Sequence, residues 1–171
     1  MEKKNSFIKD VLEIAIGTIV ITFILTSFVL KPYKVNGTSM YPNLKDGDFG
    51  YSFIITKKFG INRFDIVVID TKLNGEDRLL VKRVIGLPNE TIEFKNNQLF
   101  INGKQTDQKF LESNVITNDL KITLQDDEYY CLGDNRQISR DSRFYGPFSN
   151  EDIISTHLFV IWPLSEFGEH K

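Results

Sequence analysis

Cysteine occurs once, at Cys131, so the chain can form neither an internal disulfide framework nor a multi-cysteine zinc site. A domain placed outside the cytoplasm would then be stabilised by packing alone. Histidine is almost as scarce. His157 lies in an apolar run and reads as structural, and His170 sits beside the C-terminus, so a Ser-His-Asp triad has little to draw on. Neither sign of charge dominates: 21 Lys+Arg against 23 Asp+Glu give a formal net charge of -2, which offers nucleic acid no basic face. The phosphate-binding patterns GxxxxGKS/T and GxGxxG are missing, and no histidine–carboxylate cluster has metal-ligand spacing. The expectation is therefore no metal, no cofactor and no nucleic-acid partner.

What is present begins with a charge-free, proline-free run from Ile14 to Leu30, which Val11 and Leu12 extend to the length of a membrane span, about residues 11–30. A cleavable secretory signal usually has an apolar core of about 7–15 residues ending in a small-x-small site. Here the run ends Ser27-Phe28-Val29-Leu30-Lys31, with no such site. A helix apolar on every face is also hard to enclose in a small domain. Residues 1–32 are therefore expected to form a short tip and an uncleaved single-pass anchor in contact with membrane lipid. Lys3, Lys4 and Lys9 precede the span and Lys31, Lys34 and Lys45 follow it, so charge asymmetry barely sets an orientation.

After Pro32 the pattern changes to short strand-like runs separated by turn residues, as in an all-β domain. The runs are Tyr33–Asn36, Asp48–Ile55, Phe64–Thr71, Leu79–Ile85, Thr91–Phe94, Gln98–Asn102, Glu128–Leu132 and Ile153–Trp162. A hairpin is expected to turn at Asn96-Asn97, because Asn tolerates positive φ. Asn-Gly pairs at Asn36, Asn74 and Asn102 mark further turns. The polar stretch Lys104–Asp127 reads as loop with one short element at most. The predicted fold is thus mostly β: one membrane helix, a very short linker at Lys31–Val35, and an antiparallel β domain over residues 33–171.

With histidine, metal and thiol chemistry poorly supported, hydroxyls with a lysine base remain. Cys131 sits among apolar neighbours, which disfavours a thiolate. On a strand through Asp77–Gly86, Lys82 shares a face with Leu80 and Val84. Such surroundings lower an amine's pKa and allow a neutral base near neutral pH; an edge-strand lysine reaching for water would read the same. Ser39 lies in Asn36-Gly37-Thr38-Ser39-Met40-Tyr41-Pro42, a turn bracketed by Gly37 and Pro42 that could hold a hydroxyl and aim backbone N–H groups at an oxyanion. Gly-x-Ser turns are common, so this pattern is weak alone. Gly133–Arg143, rich in Asp, Asn, Arg and Ser, is either a solvated loop or a network of ion pairs.

Taken together, these segments resemble the type I signal peptidase family, and the compact size and single span are similar to its Gram-positive bacterial branch. Gly37–Leu44 with Gly47-Asp48 resembles the nucleophile box, Phe64–Val68 the Gly-Asp-Ile-Val-Val strand, and Leu80–Pro88 the lysine box. Gly133-Asp134-Asn135-Arg136, Ser139 and Asp141-Ser142-Arg143 resemble the last box. The resemblance implies that Ser39 attacks the scissile carbonyl, Lys82 takes its proton, and Ser139 orients the Lys82 amine. It implies that Asp134 with Arg83, and Asp141 with Arg143, brace the site through ion pairs. Val35, Met40, Leu44, Leu80 and Val81 match positions lining shallow apolar pockets, which read small residues at −1 and −3 of a substrate bound as an extended strand. The substrates implied are secretory preproteins, cleaved by an extracytoplasmic domain at the cell membrane. Two departures stand out. Some members carry a serine where this chain has Gly37, so here the oxyanion donors would be backbone N–H groups, with Ser39 and Gly37 the candidates. Phe64 replaces the usual glycine before Asp65. Two other readings are a catalytically silent membrane-bound module that binds preproteins, and a self-cleaving repressor. The repressor would need a helical DNA-binding domain where this chain has an apolar span.

Overall fold

The computed structural model describes residues 2–73, 76–112 and 115–170, with side chains from residue 8 and without those of 72–78. The Asn74-Gly75 turn lies outside the described residues. Helix α1 (Glu2–Ile24) continues through one π-helical turn, Leu25–Val29, so that residues 8–29 form one continuous apolar rod. No residue of this rod is buried by the rest of the protein. An apolar helix with no protein cover has its backbone satisfied internally and its side chains left for a nonaqueous surrounding.

No linker follows. β1 (Leu30–Lys34) starts where the apolar rod stops and runs antiparallel to β2 (Phe49–Phe53), with Leu30 opposite Phe53 and Lys34 opposite Phe49. The expected linker is therefore itself a strand. Next come β3 (Ile66–Leu73) and β4 (Glu76–Gly86), then β5 (Thr91–Lys95), β6 (Gln98–Ile101), β7 (Lys104–Thr106), β8 (Leu120–Thr123) and β9 (Glu128–Leu132). A single turn of helix, α2 (Ser142–Tyr145), precedes β10 (Phe148–Ser149), β11 (Ile153–Trp162) and β12 (Gly168–His170). Among the described residues the larger sheet has the order β1-β2-β11-β3-β4-β9-β10, and the smaller one the order β7-β6-β5-β8. One edge of β11 is shared: its first half pairs with β3 and its second half with β12. The mostly β, antiparallel architecture is the one expected.

Hydrophobic alternation sets these faces. On β2, Gly50 and Ser52 point inward while Phe49, Tyr51 and Phe53 stay half-exposed. Tyr33, Val35, Met40, Leu44, Ile66, Val68, Leu158 and Val160 form one core beneath β1. A second core joins the two sheets through Ile85, Ile92, Phe94, Leu99 and Leu132. Asn96 and Asn97 take φ of 50° and 63°, which closes the β5–β6 hairpin at the expected place. The stretch Lys104–Asp127, expected to be loop, also contributes the short edge strands β7 and β8. His157 sits at a bulge in β11 with φ of 54°, and its Nδ1 hydrogen-bonds the Thr156 hydroxyl, a structural role as expected.

Candidate active site

The turn from Gly37 to Asp48 presents Ser39, and β4 presents Lys82. Nζ of Lys82 lies 2.8 Å from Oγ of Ser39 and 2.9 Å from the Val81 carbonyl, donating to both. Lys82 is only 3% exposed. Its strand neighbours Leu80 and Val84 share an apolar cluster with Val67, Ile69 and Cys131. Burial strips water from the ammonium and lowers its pKa to about 8, and the nearby carboxylates of Asp141 and Asp134 offset this only in part. Burial also pushes the Cys131 thiol up, so the sulfur beneath the lysine stays protonated. A lysine with this pKa is neutral in roughly one molecule in ten at pH 7. In that form the hydrogen bond reverses, and the Ser39 hydroxyl donates to the amine lone pair.

The other face of β4 is handled differently. Arg83 is 1% exposed and donates from Nε and Nη2 to the two oxygens of Asp134, at 2.9 and 2.8 Å. Its Nη1 donates to the Phe64 carbonyl at 2.8 Å, and its guanidinium lies 4.2 Å from the Phe110 ring centroid. Asn43 closes the arrangement by donating to both Asp134 and the Phe110 carbonyl. Asp141, fully buried, accepts from Arg143 Nε and Nη2 and from the Gly133 N–H, and it caps α2. Burial alone would raise the Asp141 pKa; the hydrogen bonds from Arg143 and Gly133 outweigh it and hold the carboxyl below its usual range. Both ion pairs expected from the sequence are formed.

Gly133 is the position where the two serine-bearing loops meet. A Cβ there would collide with the Ser139 side chain and with the Ser39 carbonyl, which itself accepts from the Asn135 N–H at 3.0 Å. Only glycine lets the loops approach this closely. Arg136, buried by the same loop, donates to Gly133 O, Thr117 Oγ1 and Gln108 Oε1, and so ties the polar 104–119 stretch to the site. Burial lowers its pKa to about 10, which leaves it cationic at neutral pH.

A groove of about 550 Å³ runs past the Ser39–Lys82 pair, walled by residues 31–40 on one side and 79–82 on the other. Val35, Met40, Leu80 and Val81 line it, with Val68, Ile138 and Tyr145 beside them. Along 79–82, β4 pairs with β3 on one edge, whereas β9 takes up its other edge only from Arg83 onward. That open stretch is a template for an added strand. Among the described residues, no three of His, Cys, Asp or Glu gather to hold a metal ion.

Three expected roles change. Leu44 is fully buried in the core beneath the nucleophile turn and does not line the groove. The Gly37 N–H is already committed to Asp46 Oδ1 at 2.7 Å and cannot also serve an oxyanion; its φ of 93° suits the glycine that stands there. The Ser39 N–H makes no hydrogen bond among the described residues and remains free for that purpose. Among the described residues Nζ of Lys82 is engaged by Ser39 and Val81 and not by Ser139, whose hydroxyl instead helps to hold the Asp141 carboxyl below its usual range. Gly133, Asn43, Phe110 and Arg136 went unassigned in the sequence, although Gly133 and Arg136 lie inside the last motif.

The model of the family described as signal peptidase, peptidase S26, matches residues 8–162. The chain belongs to the signal peptidase family. It is 37% identical to signal peptidase I S of Bacillus subtilis strain 168, over 97% of this chain and 95% of that protein. It is 33% identical to signal peptidase IB of Staphylococcus aureus, over 96% and 94%. A signal peptidase I crystal structure from Enterococcus faecalis V583 is similar with a TM-score of 0.49 and 28% identity, covering 56% of this chain and 95% of that one. The family makes this protein a serine peptidase, and the exposed apolar helix is consistent with a membrane anchor.

Proposed function

We propose that this signal peptidase cleaves exported preproteins with Ser39 as nucleophile and Lys82 as general base, and that the observation carrying this reading is the 2.8 Å contact between Ser39 Oγ and a buried lysine amine. The neutral amine takes the Ser39 proton as Oγ adds to the scissile carbonyl. The free Ser39 N–H stabilises the oxyanion that develops. Lys82, now an ammonium, gives its proton to the leaving amine, and the acyl-enzyme forms. In the second half the neutral amine activates water for deacylation. Asp134 with Arg83 and Asp141 with Arg143 hold the two loops that frame the pair. Ser139, packed against Gly133, supports Lys82 by position.

Substrate lies in the groove as an extended strand along 79–82, with small residues at −1 and −3 facing Val35, Met40, Leu80 and Val81. Residues 1–32 act as the single-pass anchor in membrane lipid, and residues 33–171 as the extracytoplasmic catalytic domain. The test is cleavage in detergent of a preprotein with an Ala-x-Ala site, by wild type and by Ser39→Ala. Cleavage at that site by wild type alone is the expected result. Cleavage by neither, with both proteins folded, would move the reading to a silent preprotein-binding module; cleavage by both would remove Ser39 from its role.

A further inference from the structure

Residues 54–60 belong to neither the groove nor the ion-pair network, yet they are fixed at one particular place. Phe53, the end of β2, pairs with Leu30, and the Ile54 N–H donates to the Val29 carbonyl at 2.9 Å. Val29 is the last residue of the apolar rod Ile8–Val29. The 22 residues of that rod rise about 33 Å at about 1.5 Å each, close to the roughly 30 Å of a bilayer's hydrocarbon core. A segment hydrogen-bonded to the rod's last residue therefore stands at the level where hydrocarbon gives way to headgroups.

The segment is a short 3-10 turn, Ile55–Phe59, that is pinned on one side and apolar on the other. On the pinned side, the Thr56 hydroxyl bonds Thr156 of β11 and the Phe53 carbonyl, and the Lys57 ammonium bonds the Asn150 carbonyl. On the outer side, Ile55 is 39% and Phe59 83% exposed, with Lys58 exposed between them. A rigidly held turn that shows an aromatic and an aliphatic side chain to water leaves apolar area unused. Beside a span it meets an interface that favours this mixture of aromatic, aliphatic and lysine side chains.

We propose that the Ile55–Phe59 turn is a second membrane contact, a foot whose Ile55 and Phe59 side chains enter the acyl–headgroup boundary while Lys58 meets lipid phosphate. The proposal rests on the reading of residues 8–29 as a bilayer span. Its consequence is mechanical: with the span at one point and the foot at another, the domain has a fixed tilt, and the groove mouth at Lys31 and Leu79 is held at a set height above the lipid.

The test uses full-length protein in vesicles of phosphatidylcholine and phosphatidylglycerol. The one native tryptophan, Trp162, is replaced by Trp162→Phe, and a single reporter is introduced as Phe59→Trp or, in a second protein, as Phe23→Trp within the span. Fluorescence is compared in vesicles with and without acyl-brominated lipid. The expected result is blue-shifted emission and bromine quenching at both positions. Quenching at residue 23 with water-like, unquenched emission at residue 59 overturns the foot and leaves the span intact. Quenching at neither position overturns both. Blue-shifted but unquenched emission at residue 59 would place protein rather than lipid there, and also overturns the proposal.

Discussion

Lys82 and Arg83 are adjacent on β4 and almost equally hidden from solvent, at 3% and 1% exposure, yet their positive charges meet opposite surroundings. Arg83 is matched on every side: two carboxylate oxygens of Asp134, the Phe64 carbonyl and the Phe110 ring. Among the described residues Lys82 has no carboxylate in contact and hydrogen-bonds only a hydroxyl and one carbonyl. The paired cation braces the fold. For the unpaired amine, burial lowers the pKa to about 8, which suits the base proposed for it. Alternation along one strand separates the two roles, since neighbouring side chains point to opposite faces.

The sharpest break of this contrast is to make Lys82 like its neighbour. Lys82→Arg keeps the charge but cannot deprotonate near neutral pH. It should lower kcat/KM in a preprotein cleavage assay by at least about 10⁴-fold, and Ser39→Ala should do the same, as the proposed mechanism requires of a nucleophile and base that act as a unit. Residual activity in Lys82→Arg within tenfold of wild type would take the general base elsewhere. Next in size, Asp134→Ala makes Arg83 resemble Lys82 by leaving a buried cation without its partner. A loss of about 3–5 kcal/mol in stability is expected, measured by denaturant unfolding; a loss below about 1 kcal/mol would mean Arg83 finds water instead.

A third variant turns on sign. The Lys82 pKa falls from 10.5 to about 8 on folding, so between these values the unfolded chain binds more protons and stability rises with pH. Below pH 8 the burial penalty is fully present, at most about 3 kcal/mol for a shift of this size. Lys82→Met should therefore be inactive yet more stable than wild type at pH 7, with the ionic part of the gain fading toward pH 10.5. Equal unfolding midpoints for the two proteins at pH 7 would speak against a strained ammonium.

The smallest effect concerns Phe64, whose carbonyl receives Arg83 and whose φ is 73°, in the left-handed region. Its ring packs against Phe110 at 5.1 Å. Alanine loses the ring and keeps the backbone strain, whereas glycine loses the ring and relieves it. Phe64→Gly should be more stable than Phe64→Ala by about 1 kcal/mol, the reverse of the usual order in extended segments.

That same position shows what could be read in advance. The resemblance marks a glycine before Asp65, and the positive φ is the physical demand behind it, legible even though this chain answers with Phe. Strands with long alternating or apolar runs were also legible: Glu128–Leu132 and Ile153–Trp162 have the expected bounds. β10 and β12, at two and three residues, are too short to carry a period, and β7 and β8 are half-exposed edges whose polar residues read as loop. The Ser39–Lys82 contact and both ion pairs are implied by the family resemblance, not by the residues alone. Leu44 did not, because whether a turn residue faces a groove or the core depends on packing from distant strands. Gly37 likewise depended on Asp46, nine residues on, whose carboxylate claims its N–H.

The central claim is that the Lys82 amine, alone among the buried cations, gives up its proton in the working pH range. It is tested most directly by NMR titration of ¹³Cε-labelled lysine in the full-length protein in detergent, with the Lys82 signal assigned by its loss in Lys82→Met. A midpoint near pH 8, coinciding with the rising limb of kcat/KM against pH, is the predicted result. A midpoint near the ordinary 10.5, with activity already maximal well below it, would contradict the account.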